Sequence, residues 1–219
     1  MTGRIAGALA LLVLLALVGA GAGYVSNQDE PVPPASFSPP VAVPAESPSL
    51  PVNVYDVTPD PDTPPLAVDT PLSEAKFRAG GFALRAPVPD DWLRVELSGR
   101  SSWQFSRPEN PSGTYVLRLG IVAGERRAPS VAAASRVFAL RQQELDGNSQ
   151  NLIVEEQTDT GFTYTLIDAA GHQRVGIEEF LTVPGNDSAY FTVAVSGREV
   201  DREGMVSLLQ RVTAGAYVP

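Results

Sequence analysis

Apolar and polar positions along this chain fall into three regimes. Ile5 to Val25 is a run of 21 residues with no charged or strongly polar side chain, so it lacks the polar face of an ordinary soluble helix. From about Asn27 to Ala75 neither a helical nor a strand period is present. At Lys76 aromatic residues and regular periods begin. The expected organisation is a membrane anchor or signal segment at 1–26, a linker at 27–75 and a globular domain at 76–219.

Within the third regime, strands are expected at 82–86, 92–97 and 102–106, with Ser98-Gly99-Arg100 as a turn and Pro108, Pro111 and Gly113 as a loop. Tyr115, Leu117, Leu119 and Ile121 alternate as in a half-buried strand. Residues 130–145 read as a helix capped by Ser130, with Val131, Ala134, Val137, Phe138 and Leu145 on its inner face and Gly147-Asn148 as its stop. Four strands follow: 152–156, then runs carrying Phe162, Tyr164 and Leu166, Val175 and Ile177, and Phe191, Val193 and Val195. The segments 168–171 and 184–188 are turns by composition, and the phase break at Glu178-Glu179 before Phe180 predicts a bulge. A closing helix starts at Asp201 as N-cap, with Val200 and Met205 as a hydrophobic staple. Met205, Leu208, Leu209 and Val212 then face a sheet. Strand runs with segregated helices define an α+β fold, an antiparallel sheet of about seven strands packed with helices.

The length of the first regime gives it a meaning. At about 1.5 Å per residue it matches the roughly 30 Å hydrocarbon core of a bilayer. Arg4 precedes it and Asp29 and Glu30 follow it, which leaves the N-terminus cytoplasmic and the remainder outside. Two readings stay open: an uncleaved single-pass anchor continuing through Tyr24-Val25, or a signal peptide with a small-residue cleavage site at Ala20-Gly21-Ala22, which would leave a secreted protein. Both export the domain. Gly3 with Gly7, and Gly19 with Gly23, have the spacing of helix-packing motifs, but Ala and Gly are common in such segments. Gly19-x-Gly21 follows no strand and is no dinucleotide fingerprint.

Composition sharpens the second regime. Thirteen of the 20 prolines lie from Pro31 to Pro71, and proline holds the backbone extended while removing a donor. The segment is therefore expected to be a disordered, semi-rigid stalk of about 3.1 Å per residue. Its prolines lack the flanking basic residues of a ligand for a Pro-binding module. Most of the formal charge of −9 resides there: residues 1–75 carry one Arg against eight acids, and residues 76–219 carry 15 positive against 17 negative groups. A nearly neutral domain has no basic stripe for nucleic acid. The chain has no cysteine, which excludes disulfides, thiolate metal sites and a lipid-modified Cys.

Candidate chemistry is sparse, and the expectation is no catalytic, cofactor-binding or metal-binding residue. His172 is the one histidine, placed by its neighbours in a solvated turn, and no Gly-x-Ser-x-Gly elbow accompanies it. Glu155-Glu156 and Glu178-Glu179 are the carboxylate pairs, yet adjacent strand residues point to opposite faces, so each pair offers one inward acid at most. A bulge would alter that at Glu178-Glu179. Asp159, Asp168 and Asp187 lie in separate turns without calcium-loop spacing. Trp92 and Trp103 read as core rather than ligand surface, and Asn186-Asp187-Ser188 matches a glycosylation sequon.

The run Pro87-Val88-Pro89-Asp90-Asp91-Trp92, and the late strand 189–196 leading through Gly197-Arg198 into the closing helix, resemble the Mog1/PsbP-like fold. The likeness is to its exported actinobacterial branch of the LpqN lipoprotein type, and it covers about Phe82 to Tyr217. It implies an α/β/α sandwich and a binding or assembly role, with no residue set to carry over. The missing lipidated Cys means a different attachment. The expected function is a membrane-tethered extracytoplasmic binding or assembly module of the cell envelope, without catalytic activity or cofactor. Its expected partners are the membrane, through the N-terminal helix, and an envelope protein or wall polymer. The alternative is an envelope hydrolase acting on wall polymers or small esters.

Overall fold

The structure, a computed structural model, describes residues 53–97, 101–109 and 113–219, all within one compact unit from Asn53 to Pro219. The apolar run at 5–25, the stalk as far as residue 52 and the expected turn at Ser98-Gly99-Arg100 lie outside the described residues. Among the described residues no helix is long and apolar enough to cross a membrane.

Among the described residues, two sheets and two α-helices form this unit. β1 (Leu72–Ala79) and β2 (Phe82–Pro89) pair as a separate hairpin. β3 (Leu93–Glu96), β4 (Ser102–Ser106), β5 (Val116–Ile121), β6 (Ser149–Gln157), β7 (Gly161–Asp168), β8 (Gln173–Val183) and β9 (Asn186–Gly197) form a seven-stranded sheet. Its order is β3-β4-β5-β9-β8-β7-β6, antiparallel throughout. Helix α1 (Pro129–Leu145) carries the chain from β5, in mid-sheet, to the far edge at β6, and α2 (Arg202–Gly215) closes the fold. The α+β class and the antiparallel sheet agree with the sequence reading, but β1 was not expected, and the strand expected at 82–86 within the main sheet is β2 of the separate hairpin.

One core lies between the sheet, α2 and the hairpin, where Phe77, Trp103, Leu117, Leu119, Val193 and Leu208 are almost fully buried. A second lies under α1, around Leu140, Phe162, Tyr164 and Phe180. Each fully buried side chain of this size contributes about 1.5–3 kcal/mol. Trp92 and Trp103 belong to the first core, as their pattern suggested.

The folded unit begins earlier than Lys76, the start expected from composition. Proline lacks the N–H a strand needs, so residues 53–71 cannot extend a sheet and instead lie as a strap whose carbonyls need outside donors. Arg198 Nη1 donates to Thr63 O at 3.0 Å, and Arg198 Nη2 to Pro64 O at 3.3 Å. Arg211 donates to Thr70 O at 2.9 Å and Ser207 Oγ to Val68 O at 2.7 Å. Leu66 is buried, its N–H donating to Asp201 Oδ1 at 3.0 Å. Gly204 makes room for it, because any Cβ there would collide with the Leu66 carbonyl. Beyond the strap, β1 pairs in full register with β2, from Leu72 opposite Pro89 to Ala79 opposite Phe82.

Several local expectations are corrected. The bulge at Glu178-Glu179 is absent, for both residues pair in register with β7 and β9. The irregularity in β8 falls between Leu181 and Val183. The apparent phase break arises because β8 is covered on both faces: Val175, Ile177 and Leu181 join the α2-side core, and Phe180 joins the core under α1.

The inner face of α1 is also different. Ala132, Ala133, Val137 and Leu140 are buried, whereas Val131, Phe138 and Leu145 are exposed. Alanines fit against the sheet because it already presents Phe162, Tyr164 and Phe180. The N-cap is Ala128 rather than Ser130, and Pro129 occupies the first turn, where its missing N–H costs nothing.

At α2 the Met205, Leu208, Leu209 and Val212 face is buried as expected, but Val200 is exposed and forms no staple. Asp201 makes no side-chain bond to the turn after it. Its carboxylate turns back to Arg198, accepting from the backbone N and from Nε, each at 2.9 Å.

Candidate functional site

The sheet face toward α1 is unequal across its width. The register carries one row from Tyr164 through Gly176 and Ser196 to Val116, and the next from Phe162 through Glu178, Ala194 and Arg118 to Gln104. At the β7 end these rows are large and apolar, and α1 sits there. Toward β9, β5 and β4 they turn small or polar, offering too little apolar area to hold a helix. A groove of about 340 Å³ remains, floored by the sheet and walled by Arg136, Leu140 and Gln143 of α1.

Gly176 shapes that floor. It lies beside Tyr164, whose ring occupies the space a Cβ at 176 would fill. A larger residue would drive the phenol out of its place. Burial first, then the Glu178 charge, pushes the Tyr164 phenol above its ordinary pKa, against the opposing pull of Arg136 and Arg118. Tyr164 is therefore a neutral hydrogen-bond donor at the groove.

Glu178 stands on the same face, opposite Phe162 in the row next to Tyr164. Its carboxylate is buried, accepting from Arg136 Nε at 3.1 Å and Thr192 Oγ1 at 3.5 Å. A buried carboxylate needs such a partner, and α1 supplies it. Arg118 is half-buried and donates through Nε to Gln104 Oε1 at 3.3 Å. No carboxylate of the described residues lies within ion-pair distance of Arg118. At the end of the groove Ser149 Oγ is buried without a hydrogen-bond partner among the described residues.

The other singled-out residues lie apart. Glu179 is on the opposite face from Glu178, so the two make no dyad, and burial holds the Glu179 carboxyl above its ordinary pKa. Glu155 pairs on the surface with Arg202 at 2.9 Å, and Glu156 is exposed. Asp159 is exposed in its turn, Asp187 is exposed at the start of β9, and Asp168, at the end of β7, accepts from Ala170 N and His172 N of the turn that follows. Asn186-Asp187-Ser188 occupies the exposed β8–β9 hairpin.

His172 departs from the solvated turn residue expected. It is buried, and its Nδ1 lies 2.9 Å from Thr58 O. A carbonyl only accepts, so Nδ1 carries the hydrogen. Asp60 joins the same contact, with Oδ2 accepting from Arg174 at 2.8 Å and Oδ1 3.7 Å from the His172 ring. The strap, invisible to composition, is what buries this histidine.

A second concavity of about 520 Å³ runs along the strap, lined by Pro64, Pro71, Pro89, Trp92 and Tyr115. Trp92 stacks on Tyr115 at 5.6 Å, and Arg107 donates to the Tyr115 hydroxyl at 3.0 Å. Its charged lining is mainly acidic, Asp69, Asp90 and Asp91 against Arg107, whereas the groove beside α1 is lined by three arginines and one acid.

Arg118, Arg136, Gln104 and Tyr164 were not among the candidate site residues read from the sequence. The available signals were an arginine inside the apolar strand Val116–Ile121 and a glycine inside β8. No family model matches this chain, and no curated protein matches it.

Proposed function

We infer that the folded unit is a ligand-binding domain rather than a catalytic one. More particularly, it serves as a membrane-tethered extracytoplasmic binding or assembly module of the cell envelope. The observation that carries the binding reading is the groove beside α1, where an apolar wall meets a few converging polar groups on rigid elements, the usual composition of a small-molecule site. Glu178, the acid on this face nearest Tyr164, is spent on Arg136, and Asp168, the acid that lines the groove, is spent on Arg174, which favours binding over hydrolysis. Helices on both faces of the antiparallel sheet support an α/β/α sandwich of the Mog1/PsbP-like type. The uncharged run at Ile5–Val25 supports the tether, whether anchor or cleaved signal, and an envelope protein or wall polymer is the partner that location favours.

A photo-cross-linking side chain at Gln143, inside the groove, tests this against one at exposed Arg141, outside it. Irradiation of the full-length chain in its native envelope should give a defined small-molecule or polymer adduct from position 143 alone. Equal labelling at both positions, or none at either, overturns the binding reading.

A further inference from the structure

The guanidinium groups beside α1 have capacity that the protein does not use. Arg136 is held through Nε by Glu178, and Arg118 through Nε by Gln104. Neither makes any hydrogen bond through its terminal nitrogens among the described residues. Both side chains line the same groove of about 340 Å³. Tyr164 lines the same groove, beside both. Anchoring through Nε restrains a guanidinium and leaves its two terminal nitrogens available, the donors that recognise an oxyanion by paired hydrogen bonds.

We propose that this groove binds a small oxyanion, a carboxylate or phosphate group, held by the terminal nitrogens of Arg118 and Arg136 with the Tyr164 hydroxyl as a further donor. The proposal rests on the binding reading above and names its ligand chemistry. The charge balance identifies Arg118 as the principal contact. Glu178 offsets Arg136, and Asp60 and Asp168 pair with Arg174, the third cation lining the groove. Arg118 has no such partner among the described residues, and a bound anion supplies one. The volume limits the ligand to a small molecule or the end group of a larger one, with Val116, Leu140 and Leu166 meeting its apolar part. Ser149 Oγ, buried and unpartnered in the same wall, is left for a polar group of that ligand.

The test uses the full-length chain in neutral detergent, with acetate and inorganic phosphate as probes and chloride at matched ionic strength as the reference. Acetate tests a planar carboxylate and phosphate a tetrahedral group. At least one should raise the thermal midpoint beyond chloride and give a saturable isotherm. Arg118→Gln should weaken that binding about 10- to 100-fold, the loss of charge-assisted hydrogen bonds. Arg118→Lys, which keeps the charge and loses the fork, should fall between. Arg141→Gln, an equal charge change outside the groove, should bind as the parent does. Arg118→Gln binding like the parent, Arg141→Gln weakening binding equally, or neither anion exceeding chloride overturns the proposal. If neither anion binds but Gln143 still gives its adduct, the oxyanion inference falls and the binding reading stands. Loss of both removes both.

Discussion

Tyr164 lies across Gly176, its ring filling the volume that any larger residue at position 176 would need. Two features follow from this contact. The phenol is fixed at the floor of the groove, and the glycine inside a long central strand has a packing reason. Gly176→Ala is therefore expected to destabilise the protein by about 1–3 kcal/mol through overpacking. Once Tyr164 is truncated to Ala, the same change at 176 should cost much less. Denaturant midpoints for the two single variants and the double variant of the full-length chain measure the coupling. Additive effects would show that the ring does not depend on the glycine.

The exposed side of α1 gives a second expectation. Phe138 is 63% exposed and Leu140 is 2% exposed, although the apolar spacing in the sequence assigned Phe138 to the inner face. Phe138→Ser should change stability by no more than about 0.5 kcal/mol. Leu140→Ala should cost about 2–5 kcal/mol. Urea unfolding of both variants decides between the two faces, and a large loss at Phe138 would restore the sequence assignment.

That reversal shows what was legible in the chain. Periodicity located the α1 segment to within a residue, because helix formation is local. It misassigned the inner face because Ala132 and Ala133 are buried against large sheet residues that no helical window contains. At α2 the buried face itself consists of large side chains, and Met205, Leu208, Leu209 and Val212 were read correctly. The strap was lost for a related reason. Proline content describes what the backbone cannot do, and docking of residues 53–71 depends on Arg198, Ser207 and Arg211, more than 130 positions away in sequence. The groove followed the same logic. Arg118 and Gln104 are neighbours through a ladder, and Arg136 arrives from a helix, so their convergence requires the register.

The Arg198–Asp201 pair should hold the strap as a unit. Asp201 is 0% exposed and accepts four bonds, from Leu66 N, Arg198 N, Arg198 Nε and Arg198 Nη2. Asp201→Ala would leave a buried guanidinium uncompensated, at a cost of about 3–5 kcal/mol. Should that variant fail to fold, Gly204→Ala provides a second probe, because its Cβ displaces Leu66 while leaving the Arg198–Asp201 pair intact. In either variant amide exchange should accelerate first at the strap, with Leu66 as reporter, while β8 and β9 stay protected. Uniform acceleration across the sheet would show that the strap is not a separable element.

Glu179 and Glu199 should move the pH dependence of stability in opposite directions. Burial raises the Glu179 carboxyl above its ordinary pKa. Relative to the unfolded chain, the folded form then favours the protonated acid, so this contribution is present at low pH and lost as pH rises through the raised value. Glu199 is lowered, chiefly by its hydrogen bond from Arg202, whose Nε lies 2.8 Å from the Glu199 carboxylate. Its contribution is present above the ordinary carboxylate range and is lost as pH falls through the lowered value. Glu179→Gln should raise the unfolding midpoint at neutral pH, and the gain should vanish below about pH 4, where the parent acid is itself protonated. Glu199→Gln should lower the midpoint slightly at neutral pH and do nothing at the acid end. Midpoints measured across this range for both variants check the signs, and a Glu179→Gln gain that persists at low pH would assign its effect to packing instead of charge.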